Sequence, residues 1–450
     1  MHRYDRKTAE LGEAVLAYAL RRLQLDPVPL DGPRTREELN QLTAVQISGS
    51  GIGGPAALDL FATELAPACI SIDNPRYLSF IPCAPTEASS LFDLVVGASA
   101  LYGGSWLEGA GAVHAENAAL RWVADLAGLP ETAGGVFVPG GTVGNLSALV
   151  AARHTARLNR TGAPPARWKV AGTSQTHSSV KSACEVMDVD FVGVPVDDNG
   201  RLTGAALRRT MEAAGSDGLF AVVATAGTTN FGIVDGLASV AEFCAEQDVW
   251  FHVDGAYGGA GLAAPSVRHL FAGIESADSF TVDPHKWLFA PFDCCALVYR
   301  DPALAKAAHT QRAGYLDVLT DTAEWNPSDY AVGLTRRARG LPFWFSLVSH
   351  GSAKYTEAVE RTLSVTRHAA HEIRRRSYVE LLREPDLSVV VFRRIGWTPQ
   401  QYQVWSERLL AANFAFVVPT THEGETVTRF AVVNPRTTKS DVNAILDTMA

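Results

Sequence analysis

Apolar and polar positions follow three different rhythms along this chain. Between residues 87 and 345, short apolar runs such as 220–224 and 249–253 are separated by stretches with helical spacing, such as 236–246. Runs that are apolar throughout suit strands covered on both faces, and their alternation with helices predicts a mainly parallel sheet with helices on each side. Ahead of that unit, residues 8–24 and 34–42 read as helices joined by the turn-rich connector Asp26-Pro-Val-Pro-Leu-Asp-Gly-Pro33. Beyond it, helices near 352–376 and 399–412 and strands near 387–393 and 427–433 predict a smaller α+β unit. The pattern divides the chain into an N-terminal helical segment (1–86), a large α/β domain (87–345) and a small C-terminal α+β domain (346–450). No internal repeat or low-complexity tract interrupts it.

The large unit carries the pentapeptide Asp283-Pro284-His285-Lys286-Trp287. A lysine forms an imine only as the neutral amine, so its ordinary pKa of about 10.4 must be depressed by burial or by a cationic neighbour. His285 and the apolar Trp287, Leu288 and Phe289 offer such surroundings, which points to Lys286 as an attachment lysine for pyridoxal phosphate. A solvated surface pair is the alternative.

Three further segments complete a cofactor of that kind. The apolar run ending at Asp254 is followed by Gly255 and Ala256, so the carboxylate sits at the carboxyl end of a strand, where open α/β sheets bind ligands. A carboxylate there keeps a pyridine nitrogen protonated and the ring an electron sink; a turn or helix-cap aspartate is the alternative. Gly135-Val-Phe-Val-Pro-Gly-Gly-Thr-Val-Gly-Asn145 runs into a helical stretch, so the backbone NH groups of Gly140, Gly141 and Thr142 can cradle a phosphate on the helix dipole. Between strand and helix, Ser174-Gln-Thr-His177-Ser-Ser179 offers a histidine that can lie on a flat ring or cap a helix.

Taken in order and spacing, these segments resemble the group II pyridoxal-dependent amino-acid decarboxylases, which include the aromatic amino-acid, glutamate and diaminobutyrate enzymes. Asn74-Pro-Arg-Tyr-Leu-Ser-Phe80-Ile81-Pro82, Thr225-Ala-Gly-Thr-Thr229 with Asp235, and Arg429-Phe-Ala-Val-Val-Asn434-Pro435 extend the likeness over most of the chain from about residue 60. The resemblance implies the pyridoxal-phosphate transferase-like fold (fold type I). It implies Lys286 as the Schiff-base lysine, Asp254 on the pyridine nitrogen, His177 on one ring face and Ala256 on the other. It also implies Gly141 and Thr142 on the phosphate, His285 near the phosphate or substrate carboxylate, and Thr229 close to the cofactor. Phe80, Ile81, Pro82 and Cys83 would line the substrate pocket, and Arg429 would hold the α-carboxylate. The activity so implied is decarboxylation of an L-amino acid to the amine and CO2 through an external aldimine and a quinonoid, in a homodimer with its site at the interface.

One segment departs from those relatives. Aromatic amino-acid decarboxylases carry a mobile loop whose tyrosine delivers the proton to Cα, and the corresponding stretch here, residues 314–330, looks shorter. Its tyrosine position falls near Pro327, and Tyr330 is the nearest phenol, either as the proton donor or as a packing aromatic. Without a donor, oxygen would take the carbanion and give an aldehyde. An aldehyde synthase, aldolase or aminotransferase on the same fold therefore stays open, as does a silent scaffold. The presence of Lys286, Asp254, His177 and Thr142 together speaks against the scaffold.

Composition narrows the partners. With 47% hydrophobic and 19% charged residues, the 450-residue chain reads as globular. A formal charge of −9 argues against nucleic acid, and Arg336-Arg337-Ala-Arg339 and Arg374-Arg375-Arg376 read as solvated helix faces. Six cysteines without C-x-x-C spacing suggest a reducing, cytoplasmic setting, with no metal site. Neither a signal peptide nor a membrane span is expected. Gly49-Ser-Gly51-Ile-Gly-Gly54 fits a dinucleotide fingerprint in spelling, but helical and turn segments precede it where a strand is required. Phe80, Ile81, Trp106 and Trp287 lean toward an aromatic or bulky apolar substrate.

Overall fold

The computed structural model describes residues 2–43, 47, 49–314 and 324–450. The large sheet is built from β1 (Gly134–Val138), β2 (Lys169–Gly172), β3 (Asp190–Gly193), β4 (Leu219–Thr225), β5 (Trp250–Asp254), β6 (Ser279–Val282) and β7 (Cys295–Tyr299). Their order is β1-β7-β6-β5-β4-β2-β3, and β7 alone runs against the others. Every residue of β4 to β7 is buried, as strands covered on both faces require.

Alternate side chains of these strands enter two different cores. Val222, Ala224, Phe251 and Val253 pack with Leu237, Val240 and Phe243 of the helix Leu237–Gln247. Ala221, Val223 and Trp250 face Ala148, Leu149 and Ala152 of the helix Gly141–Asn159 on the other side. The period-2 pattern thus sorts one apolar run into two helix contacts.

The C-terminal unit holds four antiparallel strands in the order β10-β11-β9-β8. They are β8 (Val379–Leu381), β9 (Val389–Arg394), β10 (Pro419–His422) and β11 (Glu425–Ala431). Pattern reading finds β9 and β11 but not β8 and β10, which are short edge strands with mixed polar sequences. The helices Ser352–Arg375, Pro399–Ala411 and Lys439–Asp447 cover the sheet through Ile373, Trp405 and Ile445.

The segment after Asn74 is tied to this unit by backbone bonds from Leu78 to Phe416 and from Ala431 to Leu78. It delivers Phe80, which adopts a left-handed φ of 51°, to a cavity beside the strand-end residues Thr225 and Asp254. Asp73, about twenty positions beyond Gly51, where a dinucleotide fingerprint carries an acid for the ribose, is instead paired with Arg22 at 2.8 Å.

Candidate active site

Asp254 ends β5, Thr225 ends β4, Asp283 follows β6 and Gly140 follows β1, so all four converge where the parallel strands finish. They border a cavity of about 510 Å³. Phe80, Ile81, Gly141, Thr142 and His177 line it, and so do Thr229, Asp254, Ala256, His285 and Lys286.

Lys286 Nζ lies 2.8 Å from Asp283 Oδ2. Burial works to lower the amine's pKa, but the Asp283 carboxylate, with Asp254 adding, more than offsets it and the pKa is raised. This corrects the expectation of a depressed lysine. Trp287, expected to enclose the amine, instead donates from its indole to Thr362 at 2.9 Å within the core. His285 is no cationic neighbour either, because burial outweighs Asp283 and lowers its pKa. Its Nδ1 accepts the Cys294 backbone NH at 2.9 Å, so its proton sits on Nε2. Burial pushes Asp283 up, but the Lys286 ammonium pulls harder and its pKa is lowered.

Asp254 accepts from Asn145 Nδ2 at 2.8 Å on Oδ2 and from the Ala256 backbone NH at 3.1 Å on Oδ1. His177 lies beyond β2, with Nδ1 accepting the Ser179 backbone NH at 3.2 Å. Asn145 belongs to the glycine-turn motif and Ser179 to the histidine motif, yet neither drew a role from sequence, because the bond that joins them spans 34 residues. Phe292, Gln175 and Tyr257 also line the cavity without a local signal to announce them.

The residues fit pyridoxal phosphate. The helix Gly141–Asn159 opens at the turn, and a Cβ on Gly141 would come within 3.0 Å of Ala256 Cβ, so the glycine keeps space at the helix N-terminus. Thr225 Oγ1 and Asp283 Oδ1 are buried without a hydrogen-bond partner among the described residues, and the Cys295 thiol lies beside the Asp283 carboxyl. An amine, a strand-end carboxylate, an anion cradle and unpartnered polar atoms thus share one cavity.

Other expected residues lie elsewhere. Pro82 is absent from the wall, and buried Cys83 donates to the Ala290 carbonyl at 2.9 Å. Arg429, on β11, is also outside the wall; it is buried with Nη1 unpartnered, and burial lowers its pKa to about 10 despite Tyr257 beside it. Trp106 opens the helix Trp106–Leu126, away from the wall. Tyr330 is buried and stacks on Trp325 at 4.0 Å, which is the packing alternative rather than a cavity phenol. Residues 315–323 of the loop ahead of it lie outside the described residues.

Comparison with known proteins identifies the family. The family model for the pyridoxal-dependent decarboxylase conserved domain matches residues 57–395. The chain is 30% identical over 389 residues to an aromatic-L-amino-acid decarboxylase of Bacillus atrophaeus, covering 83% of this chain and 80% of the relative. It is 29% identical over 402 residues to histidine decarboxylase of Rattus norvegicus, covering 84% of this chain and 60% of that protein. A solved structure of Oryza sativa TDC with PLP and tryptamine superposes with a TM-score of 0.88 at 26% identity, covering 98% of this chain and 96% of that one. With the family model spanning most of its length, this chain belongs to the pyridoxal-dependent decarboxylase family.

Proposed function

We propose that the chain decarboxylates an L-amino acid with an aromatic or bulky apolar side chain, releasing the amine and CO2. The wall of the cavity carries this reading: Phe80, Ile81 and Phe292 supply apolar surface near Lys286, and no arginine among the described residues lines it. A side-chain carboxylate would meet Asp254 and Asp283 there, with no guanidinium to receive it.

Pyridoxal phosphate, when bound, supplies the electron sink that takes up the bonding pair as CO2 leaves. In this reading Lys286 supplies the amine that holds the cofactor and gives it up to the substrate. Asp254 accepts the pyridine N–H, His177 and Ala256 flank the ring, and Gly141 and Thr142 hold the phosphate, with His285 and Thr229 close by. Apolar walls keep water from the reacting carbon.

A second reading is favoured by one observation, the burial of Tyr330 against Trp325. If no acid delivers a proton to Cα, that carbon reacts with O2, and substrate, O2 and water yield aldehyde, CO2, ammonia and hydrogen peroxide. Incubating the cofactor-loaded protein with all proteinogenic amino acids, DOPA and diaminobutyrate, with products read by mass spectrometry, separates the two. Amines from aromatic substrates support the first reading; amines from acidic substrates alone overturn its substrate class, and aldehyde with peroxide establishes the second.

Unpartnered apolar faces support a homodimer with its site at the interface. The helix Arg6–Leu23 buries none of its residues, leaving Leu16 and Leu20 exposed, and Leu91, Leu94 and Val95 are exposed on Glu87–Ala98. A monomer mass in sedimentation equilibrium at micromolar concentration would overturn this. All six cysteines are free, which supports a cytoplasmic setting, and recovery of the protein from a secreted fraction would refute it. No described helix is long and apolar enough to cross a membrane.

A further inference from the structure

A buried hydrogen-bond chain runs from the Trp250 indole to the cavity, and the direction of each bond follows from the donors available. Indole Nε1–H can only donate, and Trp250 gives it to Ser279 Oγ at 2.8 Å. The Ser279 hydroxyl proton is therefore free for His252 Nδ1, also 2.8 Å away. With Nδ1 accepting, the His252 proton is on Nε2, 2.9 Å from Asn145 Oδ1. The amide must then turn its NH2 the other way, toward Asp254 Oδ2 at 2.8 Å and Ser179 Oγ at 3.0 Å. The flipped amide is excluded physically, because it would set its oxygen against a carboxylate.

The chain divides at Asn145. Since Ser179 Oγ accepts from the amide, its own proton goes to His177 Nδ1 at 2.8 Å. The Ser179 backbone NH reaches the same nitrogen at 3.2 Å, which independently fixes Nδ1 as an acceptor. His177 is thus left with Nε2–H as the donor of an imidazole that lines the cavity. His252 is fully enclosed, and burial, which outweighs the Asp254 charge beside it, lowers its pKa to about 4, in keeping with a neutral ring.

We propose that Asn145 is a positioning residue for the reaction, the branch of a one-way chain begun by Trp250 that holds Asp254 as a pure acceptor and His177 with its proton on Nε2. The functional half rests on the reading that Asp254 meets the pyridine N–H and His177 the ring. The chain gives that reading its chemistry: a carboxylate that receives an amide N–H is oriented as an acceptor, and a histidine fed by a hydroxyl presents a proton and not a lone pair. One amide couples the two, so a change at His252 reaches both groups without touching either.

The test has two arms. In the first, side-chain nitrogen NMR of the cofactor-loaded wild-type enzyme, assigned with His252→Gln and His177→Gln, locates the protons. Nε2–H on both rings, with His252 untitrated from about pH 8 to pH 5, is the expected result. A proton on Nδ1 of either ring, or titration of His252 near its ordinary value of about 6.5, overturns the chain. This arm needs no folded variant at Asn145.

In the second arm, the dissociation constant of pyridoxal phosphate is measured. Asn145→Ala and His252→Leu each raise it about tenfold or more, on the scale shown by outer partners of metal ligands. The double variant is no weaker than Asn145→Ala, because both break one chain. His252→Gln, whose amide can accept from Ser279 and donate to Asn145, stays within about threefold of wild type. Multiplying losses, or a His252→Gln as weak as His252→Leu, overturn the proposal. An Asp254→Asn protein with unchanged affinity sinks the Asp254 reading itself, while the proton positions still judge the chain.

Discussion

Asp283 Oδ2 sits 2.8 Å from Lys286 Nζ, and Asp283 is buried while the lysine side chain keeps 25% of its surface exposed. The carboxylate therefore acts at short range in a poorly screened site, and it overrides the burial that would otherwise favour the neutral amine. A lysine that must be neutral to link to an aldehyde is held as a cation by its own sequence neighbour three positions away.

Asp283→Asn removes that charge and leaves burial as the main influence, so the Lys286 pKa falls. The neutral fraction at neutral pH rises, and covalent capture of pyridoxal phosphate, trapped by borohydride and counted by mass spectrometry, shifts its pH midpoint downward. A midpoint that stays put or moves up would show that Asp283 does not govern the amine.

His252 contributes a pH dependence to stability. Its folded pKa of about 4 lies below the unfolded value of about 6.5, so the unfolded chain binds more protons between them and stability falls as pH drops through that window. The loss is about 1.4 kcal/mol per unit, or roughly 3 kcal/mol in all. Above about pH 6.5 the contribution is fully present. Urea unfolding of wild type and His252→Gln at several pH values checks it: the variant should lack this slope, and parallel curves would refute the assignment.

Gly141→Ala places a Cβ 3.0 Å from Ala256 Cβ and 3.5 Å from Asp283 Oδ2. The 3.0 Å approach is closer than van der Waals contact, so Ala256 must shift and the phosphate cradle loses room. Affinity for pyridoxal phosphate should fall about tenfold, equivalent to about 1.4 kcal/mol. An unchanged dissociation constant by fluorescence titration would place the phosphate elsewhere.

Tyr330→Phe deletes a hydroxyl and keeps the ring that stacks on Trp325 at 4.0 Å. Turnover should remain within about twofold of wild type, since the group does not line the cavity. A loss of about a hundredfold in kcat, with aldehyde replacing amine, would make Tyr330 the proton donor after all.

Much of the scaffold could be read along the chain because its determinants are local. The strands 219–225 and 250–254 and the helix Leu237–Gln247 fall within a residue or two of the pattern's positions, since period and capping are properties of neighbours. Lys286, Asp254, His177 and Gly141 were legible for the same reason, each standing at a recognisable strand end, turn or motif. Missed were the hydrogen-bond partners that hold these groups in place. Asn145 meets Asp254 across 109 residues and His252 across 107, and no local pattern carries such a distance.

The sequence by itself determined the order of the elements, the family, and which side chains are candidates for the chemistry. Tertiary structure decided their protonation and company. Packing gives Lys286 a carboxylate as its strongest partner, turns Trp287 to Thr362, and sends Tyr330 onto Trp325. It also lets one amide at position 145 face Asp254 and Ser179 at once. The physical reason is range: propensity and periodicity act over a few residues, whereas a pKa or a tautomer depends on charges and hydrogen-bond donors that only the folded sheet brings within 3 to 4 Å, on the order of one hydrogen bond or ion pair.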